Sequence, residues 1–305
     1  MAENVVGRLA LGFFKLLGWS YYLSPSPVRR LWVNSIAFFL SKIQFRRKII
    51  DQNLAIAFPL QKNKLVFPAY QQMAHLVVEI LMLFGPLSRF IRKESRISGV
   101  EHWKKAMDDG KAAIFLASHV GNWEVMAGTG ALQAGIDVII VTKLLKPAWL
   151  HQAIEKGRLK CGYRGTYEPR TMKDILSQLK RKQTVGFVLD QYAGPPVGIR
   201  VPFFGVPVGT HTVVAMMAKR SGAVVLPVVN YRDVDGNYHV EIQAPLEWIP
   251  DSDPEKEIAL NTAHYTRIIE NHVRQHPEQW LWTHRRYKGD LGPLRPDEWS
   301  EGRGR

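Results

Sequence analysis

The sequence predicts an α/β fold, an αβ sandwich on a mainly parallel sheet, preceded by apolar N-terminal helices. Three observations predict it. From about residue 96 strand-like and helix-like segments alternate. The stretch Ala112 to Gly130, "AAIFLASHVGNWEVMAGTG", passes from a buried-strand pattern into a helical one. Before both lie two long apolar stretches set among cations, Val5 to Leu23 and Val28 to Ile43.

Taken in order, Val5 to Leu23 has only Arg8 and Lys15 charged, close to the ~20 residues that cross a bilayer, so it reads as an interfacial or marginally spanning helix, with a core helix of a soluble protein as the alternative. Bulky residues where a small-residue cleavage site belongs argue against a cleaved signal. After Ser24-Pro25-Ser26-Pro27, the second stretch carries Arg29, Arg30, Lys42, Arg46, Arg47 and Lys48 around it, which suits an anionic leaflet; an ordinary amphipathic helix with a solvated basic face gives the same pattern. Residues 49–95 read as helices broken at Pro59, Pro68 and Pro86. Ala112 to Ala117 is then a strand, Trp123 to Ala134 a helix, Asp137 to Thr142 a strand, and Pro147 to Lys160 and Thr171 to Lys182 helices. Strands follow at Thr184 to Leu189 and Val224 to Tyr231, with a helix at Thr212 to Arg220 between them. Asp235-Gly236 turns the chain into Tyr238 to Gln243, and Asp253-Pro254-Glu255 opens a last helix.

Lys plus Arg is 41 against 27 Asp plus Glu, a formal charge of +14, which calls for an anionic partner such as phospholipid, phosphorylated lipid, nucleic acid or an acidic carrier protein. Nucleic acid accounts for the charge but not for the apolar N-terminus, and no helix-turn-helix, zinc or aromatic RNA-binding signature appears. The single cysteine, Cys161, excludes an internal disulfide and a cysteine-rich metal site and reads as a packing residue.

His119 and Glu124 are five residues apart, a separation that one continuous helix opens to roughly 140° and one strand to opposite faces. A break must lie between them for the two side chains to meet. Gly121 permits such a turn, Asn122 is a good helix N-cap, and Glu124 then falls in the first turn, where the helix dipole favours a carboxylate. The chemistry suggested is a His base oriented by a carboxylate, standing at the carboxyl end of a parallel strand where sites form in such folds. The spacing does not suit zinc, and neither a metal nor a cofactor is expected.

"SHVGNWE" resembles the His-x4-Asp/Glu motif of the glycerolipid acyltransferase superfamily, and its Glu form, with Ser before it and Gly-Asn-Trp within it, resembles the bacterial lipid A late acyltransferases. Three more segments are similar to that family in the same order: "GRLKCG" around Arg158, "DQYAGPPVGIRVPFFG" from Asp190 to Gly205, and "HPEQWLWTHRRYK" from His276 to Lys288, with "NLAIAFP" at 53–59 and the apolar N-terminus also matching. The resemblance implies a glycerolipid-acyltransferase-like fold, with residues 1–48 as membrane-anchoring helices and 49–305 as the acyltransferase domain. It implies an O-acyl transfer from acyl carrier protein to a hydroxyl of a lipid A precursor at the cytoplasmic face of the bacterial inner membrane, needing no acyl-enzyme. His119 is then the general base and Glu124 its orienter. Gly121 and Asn122 are candidates for the turn, and its backbone N–H groups or an element near Gly194 to Gly198 are candidates for the oxyanion donors. Arg158, and less directly Arg170, are candidates for a phosphate of the acceptor. Asp190 is a supporting residue near substrate, and Phe203 and Phe204 are candidate walls of an acyl channel. Where the family commonly has an Arg after the second strand, this chain has Lys143 in "VTKLLKP", a point charge in place of a rigid fork. The alternatives are a relative acylating a lysophospholipid, ornithine lipid or glycolipid from acyl carrier protein or acyl-coenzyme A, and a basic membrane-binding protein without catalysis.

Overall fold

The computed structural model describes residues 2–289 of the chain. The chain opens with five helices: α1 (Ala2–Leu23), α2 (Ser26–Lys42), α3 (Arg47–Ala57), α4 (Lys62–Leu83) and α5 (Leu87–Glu94). Pro25 caps α2 with φ −64°, the value its ring imposes, so the Ser-Pro break is also a helix start. Pro68, expected to break a helix, lies inside α4 instead. The carbonyl its missing N–H leaves unpaired is that of Lys64, an exposed residue. α1 and α2 both lie on α4. A Cβ at Gly18 would stand 2.5 Å from the Leu81 carbonyl oxygen, so the close α1–α4 crossing requires glycine there.

Next come β1 (Ser95–Ser98), α6 (Val100–Asp108), β2 (Ala113–Ala117), α7 (Trp123–Ala134), β3 (Val138–Val141), α8 (Ala148–Lys160), β4 (Arg164–Thr166), α9 (Thr171–Lys180) and β5 (Thr184–Val188). The hairpin β6 (Gly198–Phe203) and β7 (Val206–His211) follows, then α10 (Val213–Ser221), β8 (Val224–Arg232), β9 (Tyr238–Ile242) and α11 (Pro254–Gln275). Seven strands form one sheet in the order β1-β9-β8-β2-β5-β3-β4, parallel throughout except for β8 against β9. The expected mainly parallel α/β architecture is what the chain forms. The hairpin stands apart as a two-stranded sheet and was not expected as strands.

Crossovers between parallel strands are right-handed, so the direction of each step decides which face its helix covers. β2 to β3 and β3 to β4 step one way along the sheet, and β4 to β5 and β5 to β8 step the other. α7 and α8 therefore cover one face, and α9 and α10 the opposite one. The N-terminal helices belong to the first layer, because α4 packs on α5 and α8, and α5 packs on α7. Ala37, Leu54, Tyr70 and Val78 share one core with Ile114, Leu116 and Val185 of the sheet. Positions 290–305 of the expected acyltransferase domain lie outside the described residues.

Among the described helices α4 alone is long and apolar enough to cross a bilayer, yet 56% of its most apolar stretch is buried inside the protein. It is a core helix. Exposed apolar side chains are concentrated on α1 and α2, where Val6, Leu9, Leu16, Leu31, Phe38 and Phe39 point outward.

Candidate active site

β2 is buried along its whole length and delivers His119 two residues past its end. Its parallel neighbour β5 pairs Ala117 with Val188, so the residue level with His119 is Asp190. The carboxylate meets the imidazole directly: Asp190 Oδ1 is 2.6 Å from His119 Nδ1, while Oδ2 accepts the His119 backbone N–H at 2.7 Å and the Trp280 indole N–H at 2.6 Å. Asp190 is 1% exposed, which by itself would raise its pKa; the His119 ring, its backbone N–H and the Trp280 indole outweigh burial and hold the carboxyl well below the usual range. An ionised carboxylate on Nδ1 fixes the proton there and leaves the lone pair on Nε2. The Gln191 side-chain nitrogen lies 3.2 Å from that Nε2. In the tautomer that this pairing selects, Nε2 is an acceptor and the Gln191 amide presents its N–H₂ to it.

Glu124 is therefore not the residue that orients His119. Gly121, at φ +64°, passes so near β8 that a Cβ would stand 2.3 Å from the Asn230 carbonyl oxygen, and the Asn122 side chain then caps α7 through the N–H groups of Glu124 and Val125. This turn sends Glu124 sideways into α8. There it takes Arg158 Nε at 2.9 Å and Nη2 at 2.5 Å, along with the Tyr163 hydroxyl and, at 3.2 Å, the Trp123 indole N–H. Arg158 is 4% exposed, committed to Glu124 and Glu155, and is no free anchor for a phosphate. The pair acts on His119 at one remove, since Glu124 holds Trp123, whose ring packs edge-on against the imidazole with centroids 4.8 Å apart.

The remaining candidates also move. The Gly121 N–H is already bonded to the Gln279 carbonyl at 3.0 Å, so it is not an oxyanion donor; its role is the turn. Asn122 is buried and its amide donates to Glu79 of α4 at 2.7 Å. Phe203 and Phe204 line no part of the cavity beside His119. They pack with Trp280, Arg286, Tyr287 and Phe58, behind Asp190. Arg170 stands exposed at the start of α9, with Asp174 at 3.8 Å as its ion-pair partner. Cys161 is buried, its thiol pushed up to about 12 by burial, as a packing residue should be.

Two residues that the sequence did not place in the site complete it. One is Gln191. The other is His284, brought by the C-terminal segment, which runs over the site with Leu281 N–H on the His119 carbonyl at 3.1 Å. The His284 ring lies 5.1 Å from that of His119, and burial, with His119, Arg46 and Lys143 nearby, lowers its pKa to about 4.

A cavity of about 810 Å³ opens at His119. Sheet register shows that it has two lobes. Phe115, Val138, Ile140, Gly186, Val188, Val228 and Val240 share the α7 face with Ile97, and α7 closes this lobe with Met126, Ala127 and Gly130. Phe187 and Leu189 point to the other face, where Thr171, Met172 and Ile175 of α9 line a second lobe with Val197, His211 and Val213. The lobes join at the carboxyl edge of the sheet, where His119, Gln191, Lys143 and His284 stand.

The sequence model of the bacterial lipid A biosynthesis acyltransferases matches residues 8–289. The chain belongs to that family. It is an acyltransferase. It is similar over 277 residues, at 27% identity and 88% of each chain, to a lipid A biosynthesis lauroyltransferase of Escherichia coli (strain K12). It is 26% identical over 279 residues, again 88% of each, to a lipid A biosynthesis palmitoleoyltransferase of the same organism. A phosphatidylinositol mannoside acyltransferase of Mycobacterium tuberculosis is 26% identical over 202 residues, 65% of this chain and 62% of the relative. In the terms of this family, His119 and Glu124 are the two ends of the His-x4-Glu motif, and the fold uses them for different purposes.

Proposed function

We propose that this acyltransferase moves a fatty acyl chain from acyl carrier protein to a hydroxyl of a lipid A precursor at the cytoplasmic face of the inner membrane. The observation that carries the reading is the lone-pair nitrogen of His119 facing an apolar cavity of about 810 Å³ while Asp190 holds the opposite nitrogen. The acceptor hydroxyl displaces the Gln191 amide from Nε2 and gives its proton to that nitrogen as its oxygen attacks the thioester carbonyl. Asp190 steadies the imidazolium so formed. The displaced Gln191 amide donates to the oxyanion of the tetrahedral intermediate. Collapse breaks the C–S bond, and the departing thiolate recovers the proton from His119. Attack is direct and no acyl-enzyme forms.

The apolar lobe under α7 suits the acyl chain, since a buried apolar chain contributes about 0.8 kcal/mol per methylene. Residues 1–48 serve as the membrane anchor of the domain that follows. The outward apolar side chains of α1 and α2, beside Arg8, Lys15 and Arg30, suit a helix pair lying in the interface of an anionic leaflet. The mannoside acyltransferase relative favours a second reading, a glycolipid acceptor other than lipid A. Mass spectrometry of lipids from cells with and without the gene separates them. Loss of one acyl chain from lipid A is the expected result, and intact lipid A with an altered phospholipid or glycolipid refutes the first reading.

A further inference from the structure

The lobe on the α9 face has no occupant in the reaction as described, and the outer face of α9, whose inner face lines that lobe, has an unusual charge pattern. Arg170, Lys173, Ser177 and Lys180 are all exposed, and at 100° per residue they fall within about 80° of arc on α9. Arg181 and Lys182 extend the stripe. Among the described residues the only carboxylate within ion-pair distance of these cations is Asp174, 3.8 Å from Arg170, and it is engaged by Thr166. A solvated basic face accounts for Lys180, because a cation in the last turn of a helix is favoured by the dipole. It does not account for Arg170 and Lys173, which stand at the N-cap and in the first turn, where the dipole opposes them. Two apolar side chains at the mouth, Met172 and Val197, are 46% and 50% exposed.

We infer that the cationic stripe of α9 is the docking surface for the donor's carrier protein, whose phosphopantetheine arm enters through the α9-side lobe and brings the thioester to His119. The inference rests on the carrier-bound donor proposed above. An acidic protein complements the stripe in sign, and the exposed Met172 and Val197 supply the apolar centre that a charged rim surrounds in protein interfaces. A membrane is the other anionic candidate, but the outward apolar faces of α1 and α2 belong to the α7 layer, on the far side of the sheet from α9. A soluble carrier therefore approaches one face while the lipid-facing helices stand behind the other.

The test compares two donors with the same acyl group and pantetheine arm, acyl carrier protein and acyl-coenzyme A, in full-length wild type and in K173E/K180E. The expected result is an apparent KM for the carrier donor at least tenfold higher in the variant, with kcat retained and the KM for acyl-coenzyme A within twofold. Added salt should weaken carrier use in wild type more than in the variant. An unchanged carrier KM, an equal rise with both donors, or a rise in the KM for lipid acceptor in its place overturns the inference. If the reversed charges prevent folding, K173A/K180A reads the same comparison with a smaller effect. A wild type that uses acyl-coenzyme A but rejects the carrier donor refutes the donor reading itself, which the variants alone do not touch.

Discussion

The assignment of two carboxylates to two tasks is most sharply tested by replacing each with its amide. In D190N the three donors around residue 190 remain, and the one oxygen of the amide satisfies the pair that now meet Oδ2, the His119 N–H and the Trp280 indole. The amide nitrogen is then turned toward His119 Nδ1, and the hydrogen bond survives only if Nδ1 gives up its proton. The imidazole switches tautomer, Nε2 becomes a donor, and the base is lost while the fold remains hydrogen-bonded. The wrong tautomer in a Ser-His-Asp triad costs about 10⁴ in kcat, and a fall of roughly 10³ to 10⁴ is expected here with little change in Tm. E124Q behaves oppositely. It leaves the guanidinium of Arg158, 4% exposed, against a neutral amide with Glu155 as its one remaining carboxylate. Breaking a buried pair costs about 3 to 5 kcal/mol, or roughly 5 to 8 °C in Tm for a chain of this size, with kcat per folded molecule falling less than tenfold. Purified variants would be compared in a single-turnover transfer assay and by thermal melting. If D190N keeps more than a tenth of wild-type kcat while folded E124Q is inactive, the orientation of His119 by Asp190 is wrong.

Replacing Gln191 by Ala removes the proposed oxyanion donor and should lower kcat about 10² to 10³-fold with acceptor KM nearly constant; a rise in kcat/KM would mean that the amide only blocks the base. A Cβ on Gly186 would stand 3.4 and 3.6 Å from methyls of Ile140 and Val138, so G186V fits the sheet and shortens the α7-side lobe. It should shift donor preference to shorter chains by tenfold or more, read by competition between acyl donors, and an unaltered profile would place the chain elsewhere. His272 and His284 are each lowered to about 4 by burial, against an ordinary value near 6.5, so between these limits the unfolded chain binds protons that the folded one does not. Stability is therefore full above pH 6.5 and falls with pH toward 4, by about 2 kcal/mol per histidine at pH 5, less for the more exposed His284; H272Q/H284Q should flatten Tm between pH 7 and 5, and an equally steep profile would refute the linkage.

What could be read from the chain depended on whether its cause was local. Trp123 to Ala134 was expected as a helix and forms as one because Asn122 caps it and Gly135 ends it, both signals being adjacent in sequence. The β6–β7 hairpin was not legible, since its turn uses Phe204 at φ +51° and Gly205 at φ +74° where an Asn-Gly pair would have announced it. The ends of β2 and β5 were both visible, and so were His119 and Asp190. Their being neighbours was not, because 71 residues and two other strands separate them in the chain and only sheet order sets them side by side. Arg158 misled for the same reason. A cation on a helix looks like an anion site until the fold supplies Glu124 as its partner.

Doubly wound topology links these local facts to the reaction. Because two crossovers step one way along the sheet and the next two step back, helices cover both faces, and ligands in such sheets bind at the carboxyl edge, where both layers are within reach. His119 stands on that edge with one lobe of its cavity under α7, in the layer that carries α1 and α2, and the other under α9. The transfer proposed above, from a soluble carrier to a lipid, needs two approaches that do not compete for one opening. A central strand of the sheet that ends at His119, between the two lobes, meets that requirement. The residues that make it work are then those that hold the edge rigid: Asp190 and Trp280 below the imidazole, and Glu79 of α4 on Asn122 at the turn. Through Glu79 the same helix that supports α1 and α2 also supports the first turn of α7, so the layer of α1 and α2 and the turn after His119 are parts of one packed unit.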